Sequence, residues 1–149
     1  MNSNLSKAIL AGVIGTAIMT IVMMIAPLMG MPKMSPPAML SGMMGLPVWV
    51  GWLMHFMVGI TFAMLYTYLL SPRLKVSNLY LKGAIFGLMA FVAAQVAMAM
   101  MGAVLPMPSM EGPMVLNILG SLMGHLIFGM AVSKSIGFTS SHDLSAKHS

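Results

Sequence analysis

Two histidines stand in matching surroundings. "GWLMHFMVG" covers residues 51–59 and "SLMGHLIFG" covers residues 121–129. In each, a small residue lies four positions before the His and a Gly four positions after it. An imidazole can hydrogen-bond, relay a proton or ligate a metal. The only acids in the chain are Glu111 and Asp143, and both fall outside the apolar runs, so no salt bridge accounts for His55 or His125. Three chemistries are open. Each ring could donate a hydrogen bond to Thr20, Gln95 or a backbone carbonyl and lock neighbouring helices together. The pair could ligate one metal, as axial ligands of a haem iron or, with Met, as ligands of Cu(I). Or the rings could line a path for protons or a small solute.

Methionine widens the metal question. There are 22 in 149 residues. Met31 and Met34 in "MPKM", and Met107 and Met110 in "MPSM", form compact thioether pairs suited to a soft ion. A general use of Met where other proteins use Leu explains them as well, since Met is equally dense in the apolar runs, where it packs. The chain has no cysteine, which removes disulfides, thiolate metal sites and thiol catalysis. No paired carboxylates, no nucleophile with a base and no phosphate-cradling glycine loop appear, so no catalytic residue is assigned and no enzyme is expected.

These residues must be positioned by something other than a soluble core. Hydrophobic residues make up 59 % of the chain and charged residues 6 %, against roughly 25 % charged in soluble domains. The expected solvent is a lipid bilayer. A span needs about 20 apolar residues. Four runs qualify: about 8–28, 48–70, 80–105 and 114–136. Together they predict one all-α domain over residues 1–136, a four-transmembrane-helix bundle, followed by a flexible cytoplasmic tail over 137–149. With the N-terminus inside, Lys7, Arg73, Lys75, Lys82, Lys134 and Lys147 lie on the cytoplasmic side and only Lys33 lies outside. This positive-inside bias places both termini in the cytoplasm. The net charge of +5 is topology charge, spread singly at span edges, and no nucleic-acid partner is expected. The loop "GMPKMSPPAMLSGMMGLP" is apolar for an exposed segment and is expected to lie on the outer membrane face, capping the bundle.

Small residues recur every fourth position, where helices in lipid approach closely. Gly12, Gly51, Gly59, Gly83, Gly87 and Gly129 are the close-packing candidates. His55 shares a stripe with Gly51 and Gly59. His125 shares one with Asn117, Ser121 and Gly129. Each ring is thus expected on a packing face. Aligning "KAILAG" with "KGAIFG" and the two His segments with each other predicts a tandem pair of helical hairpins, related by a parallel pseudo-twofold repeat. In that register Gly12 matches Gly87 and Thr20 matches Gln95. Counted along the spans, Thr20, Gln95, His55 and His125 reach a similar level in the outer half. With Ser121 and Asn117 they make up the polar set of the bundle.

At "AGVIGTAIMT", "GWLMHFMVGITFAMLYTYLL", "LKGAIFGLMAF" and "GHLIFGMAV" the chain resembles a family of small four-span bacterial membrane proteins catalogued only as a domain of unknown function. The resemblance implies a helical hairpin pair in a bacterial cytoplasmic (inner) membrane. It carries over no substrate, cofactor or site residue. The expectation is therefore a structural or accessory bundle that packs as a homo-oligomer or within a larger membrane complex. The alternatives are a haem- or Cu(I)-binding protein using His55 and His125, and a small-solute or proton pathway.

Overall fold

The computed structural model describes residues 3–107, 109 and 111–146. Helix α1 is Ser3–Ile25 and ends in a 3-10 turn, Ala26–Met29. A short helix α2, Pro36–Met44, follows, then α3, Val48–Leu65, which runs on through one π turn, Tyr66–Leu70. Helix α4 is Leu79–Gly102 and α5 is Met114–Ala146. Four of these are long and apolar enough to cross a membrane: Asn4–Met29, Val48–Leu70, Leu79–Gly102 and Met114–Gly137. The third stops short of the Leu105 expected from hydropathy. The segment expected to begin a flexible tail at Gly137 continues helically to Ala146.

Helix α2 has clear local causes. Ser35 is extended at the N-cap and its hydroxyl accepts from the Ala38 N–H. Pro36 follows at the first turn, where a missing N–H costs nothing. Gly45 ends the helix at φ 64°, a left-handed conformation that favours glycine. Pro37, Ser41 and Met43 are buried. Gly51 of α3 lets the Pro37 carbonyl approach, because a Cβ there would occupy the same space. The segment between α1 and α3 therefore caps one end of the bundle, and it does so as a helix seated on α3.

Glycine also sets the main helix contacts. A Cβ on Gly12 would lie 2.6 Å from Ile60 Cα. One on Gly83 would lie 2.6 Å from Met130 Cα, and one on Gly129 would lie 2.7 Å from Gly87 Cα. Thr16 Oγ1 takes the space left free at Gly59. These approaches join α1 to α3 and α4 to α5. Helix α1 also lies along α5, but α3 and α4 make no comparably extensive contact. The packing therefore does not display the expected twofold, which would require α3 to lie along α4 as α1 lies along α5.

The half of the bundle away from α2 is filled. Tyr66, Phe86, Phe128 and Val132 are buried together with Ala11 and Ala63. The Tyr66 and Phe86 rings are 4.8 Å apart and those of Phe86 and Phe128 5.9 Å. The Tyr66 hydroxyl hydrogen-bonds Ser133 Oγ at 2.7 Å. At this level α3, α4 and α5 meet.

Candidate functional site: a cleft between α3 and α4

Above that plug the helices part. A cavity of about 260 Å³ opens, walled by α3 and α4, backed by α1 and α5, and roofed by α2 and the outer loops. It takes in His55 and His125 together with Gln95, Asn117 and Ser121. The four-residue stripe of α3 holds in three dimensions: Gly51, His55, Gly59 and Ala63 are its buried residues.

The hydrogen bonds fix which nitrogen of His125 carries a proton and tie that of His55 to the Thr20 hydroxyl. The Thr20 hydroxyl donates to the Thr16 carbonyl at 2.8 Å. A hydroxyl has one hydrogen; while the Thr16 carbonyl holds it, Thr20 Oγ1 accepts from His55 Nε2, 3.2 Å away. His55 is then the Nε2–H tautomer and its Nδ1 holds a lone pair. His125 donates from Nδ1 to the Ser121 carbonyl at 2.7 Å, since a carbonyl only accepts. Its lone pair is on Nε2. No carboxylate lines the cavity, so a second proton on either ring would be an unpaired charge within the membrane.

The bond from His55 to Thr20 joins α3 to α1. The bond from His125 stays within α5 and fastens no second helix. Instead the His125 ring meets Phe91 of α4 edge-on, with centroids 5.9 Å apart. Gln95, expected to bond one of the histidines, lines the cavity and has no hydrogen-bond partner among the described residues. Asn117 donates to the Glu111 carbonyl at 2.9 Å and the Pro113 carbonyl at 3.4 Å, which ties the outer α4–α5 loop to the start of α5. Its Oδ1 is left over. Among the described residues no buried side-chain nitrogen or oxygen lacks a partner. The unpaired atoms of Gln95, His55, His125 and Asn117 are therefore not sealed in protein but open to free space.

The methionines divide. Met34 and Met107 line the cavity. Met31 does not; its Cε, with Met34 Sδ, covers Gly120. Met110 lies outside the described residues. Met19, Met23, Met39 and Met98 line the cavity without having been singled out in the sequence. Their signal was only helical spacing. Among the described residues no three His, Cys, Asp or Glu side chains gather into a metal-binding group, so neither haem nor copper gains support from such a cluster.

Four apolar helices with a cleft among them define a small helical membrane protein. The family described as a family of unknown function, DUF6789, matches residues 2–146, and the chain belongs to it. No curated protein and no solved structure matches the chain.

Proposed function

We propose that this protein is a small accessory protein of a bacterial cytoplasmic membrane, not an enzyme, and that its cleft holds a small uncharged amphiphile taken from the lipid between α3 and α4. One observation carries the reading. Gln95, His55, His125 and Asn117 line the cavity, and each has a polar atom that no protein group pairs and that is not sealed in the fold. A polar group left unsatisfied in hydrocarbon costs several kcal/mol, and a bound molecule with matching groups removes that cost. The filled half argues against a continuous proton or solute path. The absence of charge in the cavity wall suits a neutral ligand.

In this reading both termini lie in the cytoplasm. Lys7, Arg73, Lys75, Lys82 and Lys134 stand at the start of α1 and α4 and near the ends of α3 and α5, the same end of the bundle. The hairpins descend from one duplicated hairpin. Gly12 meets Ile60 as Gly83 meets Met130, and Thr20 touches His55 as Phe91 touches His125. In this register Gly12 corresponds to Gly83 and Thr20 to Phe91, one helical turn from the correspondence that the aligned sequences favour. A second copy or a larger membrane complex would cover the exposed helix faces.

Native mass spectrometry of the protein, extracted in mild detergent, tests the cleft. A neutral small molecule should be retained, and Ala94→Trp, which fills the cavity from α4, should abolish its retention. An empty wild-type protein under conditions that keep annular lipid would sink this reading.

A further inference from the structure

The inventory of unpaired atoms in the cleft is lopsided, and its bias specifies a ligand. His125 Nε2 is an acceptor, because the Ser121 carbonyl holds the Nδ1 proton, and His55 Nδ1 is one when Thr20 holds the Nε2 proton. Asn117 Oδ1 is a third acceptor, since its amide N–H groups go to the Glu111 and Pro113 carbonyls. Donors come only from the Gln95 amide and the Ser121 hydroxyl, both of which can also accept. No Lys, Arg, Asp or Glu lines the cavity. A ligand that satisfies this wall is uncharged and brings its own O–H donors.

The apolar wall narrows the class further. Met19, Met23, Met34, Met39, Met98 and Met107 surround the polar set. Thioethers adapt to irregular shapes and make favourable contacts with aromatic rings. Phe62 and Phe128 add ring surface to the same wall. An aromatic head with hydroxyls is better matched here than a flexible aliphatic alcohol.

We infer that the cleft binds the head of a membrane hydroquinone, with its two hydroxyls donating to His55 Nδ1 and His125 Nε2 and its ring held among the methionines. This rests on the cleft being a ligand site, as proposed above, and adds the class of ligand. The shared chemistry, an uncharged amphiphile with two O–H donors, could also come from a lipid diol such as a monoacylglycerol. The ring-and-thioether wall favours the hydroquinone. No redox step is implied: the site recognises donors.

The test uses the full chain in nanodiscs and three probes with ten-carbon tails. They are a decyl hydroquinone kept reduced, the corresponding quinone, and monodecanoylglycerol. The quinone has the same ring without donors, and the glyceride has donors without the ring. The hydroquinone should bind about tenfold or more tightly than the quinone, because each hydrogen bond contributes a factor of roughly two to ten. In wild-type protein labelled with 15N histidine, it should shift the resonances of His55 Nδ1 and His125 Nε2, a readout that needs no variant. His125→Phe should narrow the preference for the hydroquinone. Tightest binding of the glyceride would support the donor chemistry and assign the lipid diol as its source. Equal binding of quinone and hydroquinone would overturn the donor assignment while leaving the cleft a ligand site. Failure of all three probes to bind, with Ala94→Trp indistinguishable from wild type, would overturn both. Stoichiometric retention of Cu(I) that the hydroquinone does not displace would also overturn the inference.

Discussion

Thr20 Oγ1 stands 3.2 Å from His55 Nε2, and while its own hydrogen is held by the Thr16 carbonyl it accepts the ring's proton. A threonine on α1 thereby holds an imidazole on α3 and sets its tautomer. Thr20→Val keeps the shape and removes the acceptor. The expected loss of stability is about 0.6 kcal/mol and at most about 1.7, the range of interhelical hydrogen bonds in membranes. The 15N spectrum should change from one His55 tautomer to a mixture. A spectrum that keeps a single tautomer would show that Thr20 does not set it.

The two histidines have no common hydrogen-bond partner: His55 bonds α1 and His125 bonds its own helix. In protein freed of ligand, His55→Ala and His125→Ala should have additive effects on unfolding, within a few tenths of a kcal/mol. With a molecule bound to both rings, the double variant should lose less than the sum. Strong coupling in the empty protein would contradict the separate bonding just described.

Gly129 and Gly124 sit on the same helix and differ in what a methyl group would meet. At Gly129 it meets the backbone of Gly83 and Gly87, which cannot move without shifting α4. At Gly124 it meets the ends of Met19 and Met23, at 3.1 Å and beyond. Gly129→Ala should cost about 1–3 kcal/mol, as overpacking does, and Gly124→Ala should be close to neutral. Equal thermal stabilities for the two variants would refute the close approach of α4 and α5.

Tyr66→Phe removes the hydroxyl that meets Ser133 at 2.7 Å in the filled half. It also leaves the Ser133 hydroxyl buried without that partner. A loss of about 1–2 kcal/mol is expected, and it should shrink when Ser133→Ala is made as well. A double variant as unstable as the sum of the two would rule out the pair.

Topology is tested with reporter fusions. Fusions at Ser41 and Ser109 should report the periplasm and one at Ser77 the cytoplasm, following the positive-inside bias. A periplasmic signal at Ser77 would reverse the orientation.

Much of this was written in local pattern. Four apolar runs of span length predict four helices because a backbone in lipid must satisfy its own hydrogen bonds. Small residues at every fourth position predict the buried stripe of Gly51, His55 and Gly59, because 3.6 residues per turn place them on one face. Helix α2 was expected only as an apolar loop, although Ser35, Pro36 and Gly45 carry the cap signals of the nine-residue helix found there. The rest was decided in three dimensions. Alignment by lysines paired Thr20 with Gln95, whereas in the fold Thr20 meets His55 and Phe91, not Gln95, meets His125, because helices slide to the register in which their backbones meet. Sequence spacing placed Gln95 near the histidines but could not show that it bonds neither. Above all, nothing in the sequence states that α1 closes on α5 while α3 stays apart from α4. That asymmetry depends on which small residues find a facing backbone, and it opens the cleft where polar side chains face empty space.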